Sequence, residues 1–232
     1  TESIGNILDM RLYGGNATGA HNGEVKYTIN TTNKGDDSTF YAFGGNKSGE
    51  HTGKVSMYMS KHPGGSKVGE VANLYLFGGN EEGSSNGDVS IEFNHTNAGQ
   101  YFYAHGGAKN GTHKGNVTYT VKRSDGQQVT MGAAFMYLFG GNKDGEFEGD
   151  VLYNLHSTNG NTFYAYGGSE DGITRANVTF NIQQTGTAGT NKLFGGSKAG
   201  THTARPTTSL KTFIWATSGF MAAMRRARIT AM

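Results

Sequence analysis

From Phe40 to Met59 the chain reads FYAFGGNKSGEHTGKVSMYM. An apolar run meets a Gly-Gly pair, a polar frame with recurrent glycine follows, and an alternating segment closes the stretch. The same order returns along the chain, with the pairs beginning at Gly14, Gly44, Gly78, Gly106, Gly140, Gly167 and Gly195. The frames read GGNATGAHNG, GGNKSGEHTG, GGNEEGSSNG, GGAKNGTHKG, GGNKDGEFEG, GGSEDGITRA and GGSKAGTHTA. Units of this length usually stack, each burying its apolar edge on the next, so the pattern predicts an elongated array rather than a globule around one pocket.

Two strand signals flank each frame. The trailing one alternates apolar and mostly polar residues, as in V25-K-Y-T-I29 and V117-T-Y-T-V121, which predicts one buried face. The leading one is nearly all apolar: FYAF, LYLF, FYAH, MYLF and FYAY. Two positions before each Gly pair the residue alternates strictly, as Leu12, Ala42, Leu76, Ala104, Leu138, Ala165 and Leu193. Phe40, Phe102 and Phe163 accompany Ala, whereas Leu74 and Met136 accompany Leu. That exchange keeps the volume of each layer nearly constant, as close packing requires, and makes the true unit a pair of repeats. The short links NTTNKGDDS, HTNAGQ and HSTNGN carry turn chemistry that fits either a hairpin or the corner of a solenoid. The paired glycines are expected to allow positive φ, and the glycines at every fourth residue to let neighbouring coils approach where a β-carbon would clash. The expected fold is therefore all-β, a right-handed β-solenoid of about seven repeats over residues 1–203, with a separate tail over 204–232.

Composition narrows the function classes. The chain has 232 residues with 38 Gly, 2 Pro and 16% charged residues, yet 11% aromatic residues in periodic positions, which favours a packed array over disorder. It has no Cys, so disulfides, thiol nucleophiles and thiolate metal sites are excluded. The net charge of +2 divides unevenly: Arg205, Lys211, Arg225, Arg226 and Arg228 sit in the tail, leaving 15 basic against 18 acidic residues before it. Such a body lacks the basic stripe of a nucleic-acid binder. The first ten residues, TESIGNILDM, carry no initiating Met, basic region or apolar core of a signal peptide, and read as the start of a fragment or processed chain.

The strongest candidate contact residues are Tyr41, Tyr75, Tyr103, Tyr137 and Tyr164, which share a strand face with Phe43, Phe77, His105, Phe139 and Tyr166. Two readings of this aromatic stripe stand: a sugar-stacking or protein-docking face, or a face covered by a second sheet or by the long links. His21, His51, His113 and His202 occupy one slot of the frame and read as turn residues rather than a metal ladder. The column Glu24, Lys54, Asp88, Asn116, Asp150 and Asn177 contains a Lys, which argues against calcium. No metal or cofactor is expected. No catalytic motif is recognisable, and no acid follows Asp171. Seven N-x-S/T triplets begin at Asn16, Asn30, Asn46, Asn94, Asn110, Asn116 and Asn177, relevant only in a glycosylating pathway.

After Ala204 the repeat grammar ends. The sequence PTTSLKTFIWATSGFMAAMRRAR loosely resembles a wall-sorting signal, with alternative readings as a basic amphipathic helix on a membrane or as a truncated or frame-shifted end. The frame [Y/F]-G-G-N-x-x-G-x-x-x-G-x-V over residues 10–203 resembles the Gly-rich β-repeats of bacterial surface proteins, in autotransporter passengers and wall-anchored adhesins. The resemblance implies a non-enzymatic adhesin or structural stalk, extracellular or on the cell surface, with a glycan or host surface protein as partner. A carbohydrate-active solenoid and a subunit self-assembling through its array ends into a fibre or surface layer are the alternatives.

Overall fold

The computed structural model describes residues 9–29, 35–59, 71–94, 98–122, 129–156, 158–183, 191–203 and 209–210. Every described strand pairs in parallel, and the strands form three seven-stranded sheets. The leading sheet holds Asp9–Tyr13, Gly35–Phe43, Val71–Phe77, Ala98–His105, Val129–Phe139, Thr158–Tyr166 and Asn191–Phe194. The trailing sheet begins at Val25–Ile29 and Val55–Met59 and ends at Val178–Gln183 and Ser209–Leu210. Between them runs a sheet of three-residue strands inside the Gly frame, Ala20–Asn22, Glu50–Thr52, Ser84–Asn86, Thr112–Lys114, Glu146–Glu148, Ile173–Arg175 and Thr201–Thr203. The chain is thus a three-sided β-solenoid. Five rungs are sandwiched between neighbours, and the first and seventh close the described array, so the number of enclosed coils is slightly below the seven frames counted in the sequence.

Parallel pairing decides the role of the short links: the trailing strand of one rung never pairs with the leading strand of the next, so they are solenoid connections and not hairpins. Residues 30–34, 95–97 and 157 of those links, residues 60–70 and 123–128 of the longer connections, and residues 204–208 and 211–232 of the tail lie outside the described residues. Ser209 and Leu210 pair with Thr179 and Phe180 on the trailing sheet.

The core is the triangle's interior. Ala42 pairs with Leu76, Leu76 with Ala104 and Ala104 with Leu138, while Phe40 pairs with Leu74 and Leu74 with Phe102. Large and small residues therefore alternate from rung to rung, as the sequence predicts, and all of these are buried. Val55, Met57 and Met59, and Val89, Ile91 and Phe93, fill the opposite wall. The Tyr119 and Tyr153 hydroxyls cross to the leading sheet and donate to the carbonyls of Phe139 at 2.7 Å and Tyr166 at 2.6 Å. Burial pushes both phenols well above their ordinary value.

The corner after each Gly pair is built by an asparagine ladder. Asn80, fully buried, accepts from the Asn46 amide at 2.7 Å and donates to the carbonyls of Gly49 at 2.9 Å and Ser84 at 2.7 Å. Asn46 and Asn142 repeat this arrangement, with Ser169 continuing the column and Ala108 interrupting it. Asn46, enclosed in this way, is no glycan acceptor in the folded chain. The paired glycines correct one expectation: none has positive φ. They serve close approach alone, since a β-carbon on Gly106 would lie 2.5 Å from the Gly140 carbonyl oxygen. Positive φ belongs to the lone glycine that follows, as at Gly83, with φ of 98°.

Candidate functional site

In-register parallel strands set equivalent side chains one strand spacing apart, so rings in one rotamer must stack. Tyr41, Tyr75, Tyr103, Tyr137 and Tyr164 form such a column on the outer face of the leading sheet, with centroids 4.8, 5.0, 4.9 and 5.0 Å apart. Interplanar angles are 12°, 6°, 9° and 6°. All five predicted tyrosines are brought together and each is half-buried. Arg11 lies over the outer face of Tyr41 at 5.0 Å and Lys192 over that of Tyr164 at 5.4 Å. The column therefore has a cation at each end.

This geometry decides what the tyrosines present. Each inner ring turns both faces to neighbouring rings, so flat stacking of a sugar on an open ring face, one of the two expected modes, has no place inside the column. Ring edges and phenol hydroxyls remain. Burial, followed by the neighbouring phenols, pushes Tyr103 up to about 12, and Tyr75 and Tyr137 move the same way. The hydroxyls of Tyr75, Tyr103 and Tyr137 are therefore protonated donors throughout the physiological range.

A second column runs beside it: Tyr13, Phe43, Phe77, His105, Phe139, Tyr166 and Phe194, at 4.7 to 5.1 Å. Phe43, Phe77, His105 and Phe139 are buried although they point away from the core. On the other flank Tyr101 and Phe135 stack at 5.6 Å and are exposed.

The sequence reading missed the polar column that borders the second ladder: Lys47, Glu81, Lys109, Lys143, Glu170 and Lys198, directly after the ladder of Asn, Ala and Ser. Glu81 accepts from the Tyr13 hydroxyl at 2.5 Å, Lys109 at 2.8 Å and Arg11 at 3.2 Å. Glu170 accepts from His105 Nε2 at 3.1 Å and Lys198 Nζ at 3.1 Å. Burial opposes ionisation of Glu170, but the His105 hydrogen bond and Lys198 outweigh it and bring the carboxyl down to about 2. Burial also holds His105 below its ordinary value against the pull of Glu170, so a neutral imidazole makes that bond.

The histidine slot is corrected from turn to strand. His51 and His113 point inward from the middle sheet and are buried, with His21 partly so. His21 and His51 bring their Nδ1 atoms to 2.9 Å, but the rings stack at 9° and the lone pairs do not converge on one point. His113 Nδ1 meets Ser85 Oγ at 2.6 Å. Among the described residues no group of three metal-ligating side chains gathers.

An aligned pair of carboxylates would mark a carbohydrate-active solenoid. Glu81 and Glu170 share a column three rungs apart, about 14 Å at the usual strand spacing, outside the roughly 5 to 9.5 Å used by paired glycosidase carboxyls. Glu146 and Glu148 share an outward face of the middle sheet, but both are exposed beside Arg175 at 3.2 Å and Lys114 at 3.6 Å. Neither pair offers an enclosed acid and base.

No family model matches the chain, and no curated protein and no solved structure matches it. Among the described residues no helix is long and apolar enough to cross a membrane.

Proposed function

We propose that this chain is a non-enzymatic segment of an extracellular surface protein, adhesive or stalk-like, that works by presenting a long lateral β surface. The resemblance of its Gly-rich frame to bacterial surface repeats supports this class. The observation that carries the adhesive role is the half-buried column of five tyrosines running parallel to the solenoid axis, flanked by exposed Tyr101 and Phe135. A periodic row of phenol donors suits a ligand that is itself periodic and rich in acceptors, which describes a linear glycan. Recognition would run through hydrogen bonds to the ring edges, with the apolar flank excluding water.

A glycan-array assay on the whole chain tests this, alongside a variant with Tyr75, Tyr103 and Tyr137 changed to Phe. The Phe rings keep the stack and lose only the hydroxyls, so binding should vanish while the circular dichroism spectrum persists. Binding that survives in the Phe variant would refute the hydroxyl row as the contact. If the unmodified chain binds no glycan, the adhesive role fails for the panel tested and the stalk role remains.

A further inference from the structure

The tyrosine column has a chemical property that does not depend on what the face binds. Its phenols are held in pairs with ring centroids 4.8 to 5.0 Å apart and nearly parallel, and each is reachable from solvent. We infer that this column is a site of oxidative cross-linking, in which a one-electron oxidant of the haem-peroxidase class, using hydrogen peroxide, joins tyrosines of neighbouring rungs through a carbon–carbon bond.

The step balances as follows. Each of two phenols loses one electron and one proton to give a phenoxyl radical. The radicals couple at ring carbons ortho to oxygen, and the hydrogen on each coupled carbon moves to that ring's oxygen, restoring both aromatic rings and both hydroxyls. The two electrons and two protons reduce one hydrogen peroxide to two waters. Tyr103, with its phenol raised to about 12 by burial and neighbouring phenols, loses proton and electron together.

Geometry sets the regiochemistry. Within the column a ring meets only the rings of the adjacent rungs, since the intervening ring screens column members further away. The deeply buried phenols compete poorly: Tyr119 and Tyr153 are sealed in the core with hydroxyls donated to backbone carbonyls. Tyr101 stacks across the rungs on Phe135, which has no phenol to oxidise. It also lies 6.1 Å from Tyr103 on the same strand, and a link there falls within one stretch of chain and is told apart by mapping. Bonds between rungs would staple the solenoid along its axis, a useful property in a stalk.

The test treats the dilute chain with a peroxidase and hydrogen peroxide, then maps cross-linked peptides by mass, each link lowering the mass by two hydrogens. Links are expected between Tyr41 and Tyr75, Tyr75 and Tyr103, Tyr103 and Tyr137, and Tyr137 and Tyr164. Tyr103→Phe keeps the stack but removes two of these four links, so the Tyr75–Tyr103 and Tyr103–Tyr137 products should disappear while the outer two links persist. The chain oxidised in concentrated urea should lose the neighbour pattern. The inference is overturned if the native chain gives no intramolecular link, if its links match those of the unfolded chain, or if Tyr103→Phe leaves the pattern unchanged.

Discussion

Replacing Asn80 by Ala is the most direct test of what holds the corners. Its side-chain amide makes three hydrogen bonds, all to backbone and all inside the corner: one accepted from Asn46 N–H, two donated to the carbonyls of Gly49 and Ser84. Alanine removes all three and supplies nothing, and the fully buried site leaves water little access. At about 1 kcal/mol net for each bond, with the orphaned donor weighing more than the carbonyls, the loss comes to roughly 3 kcal/mol. A stacked array need not unfold in one step, because each rung contacts only its neighbours. The informative assay is therefore native-state hydrogen exchange, read at the Asn46 amide. A loss of 3 kcal/mol corresponds to exchange faster by roughly a hundredfold. Amides of the last rungs should be unaffected. Exchange at Asn46 that changes less than about threefold would mean the ladder follows from the corner geometry instead of securing it.

The pairing of interior and terminal glycines gives a second outcome. Gly106→Ala drives a β-carbon against the Gly140 carbonyl and the Val117 side chain, neither of which has room to retreat, whereas a β-carbon at Gly195 meets nothing within 4 Å. Thermal melts followed by circular dichroism should show a loss of several degrees or failure to fold for the first and little change for the second. Acid should weaken the chain through its buried histidines. Burial, reinforced by His51, brings His113 down to about 4, so the unfolded chain takes up a proton near 6.5 before the folded one. The stability is intact above that value and declines as pH falls from about 6.5 to 4, by about 3 kcal/mol for this residue at the lower limit. Glu170, held at about 2, is shifted in the same direction, and its contribution is likewise lost as pH falls, in a lower window from its ordinary 4.5 towards 2. His113→Phe, matching Phe147 in the next rung, should flatten the urea-midpoint profile between pH 6.5 and 4, and an unchanged slope would refute the assignment.

The sequence makes the core legible because its signal has a period that survives without neighbours. The alternation of Ala42, Leu76, Ala104 and Leu138 against Phe40, Leu74, Phe102 and Met136 reads directly as stacked layers, and the strand pairings place these residues on one another. The middle sheet is not legible in the same way. Glu50–Thr52 and its equivalents are three residues long, too short to show an alternation, and only the inward column His51, Ser85, His113 and Phe147 betrays them. Two histidines, a serine and a phenylalanine in one slot do not look like a buried face. Ring orientation in the tyrosine column was equally hidden, because it follows from parallel register, and the links fitted hairpins as well as corners.

The polar column becomes intelligible only once the coils are stacked, and it then follows a simple rule. Side chains of this column reach back two rungs: Glu81 to Tyr13, Glu170 to His105, and Lys198 to Tyr137, whose ring lies 6.0 Å from its ammonium. Setting each residue of the column against the buried-ladder ring two rungs earlier gives Tyr13 with Glu81, Phe43 with Lys109, Phe77 with Lys143, His105 with Glu170 and Phe139 with Lys198. A carboxylate stands wherever the ring has a hydrogen to donate, and a lysine wherever it has none. Stacking explains why. Ladder neighbours occupy both faces of His105 and one face of Tyr13, and the polar hydrogen of each is satisfied at the ring edge, by a side chain arriving from the corner. Lysine at position 170 would leave His105 Nε2 buried against a cation with no acceptor, whereas Phe139 has no polar hydrogen to satisfy, and Lys198 beside it places its ammonium on Glu170 and over the Tyr137 ring. The two acids in an otherwise basic column are therefore consequences of Tyr13 and His105, residues far from them in sequence, and carry no implication of catalysis.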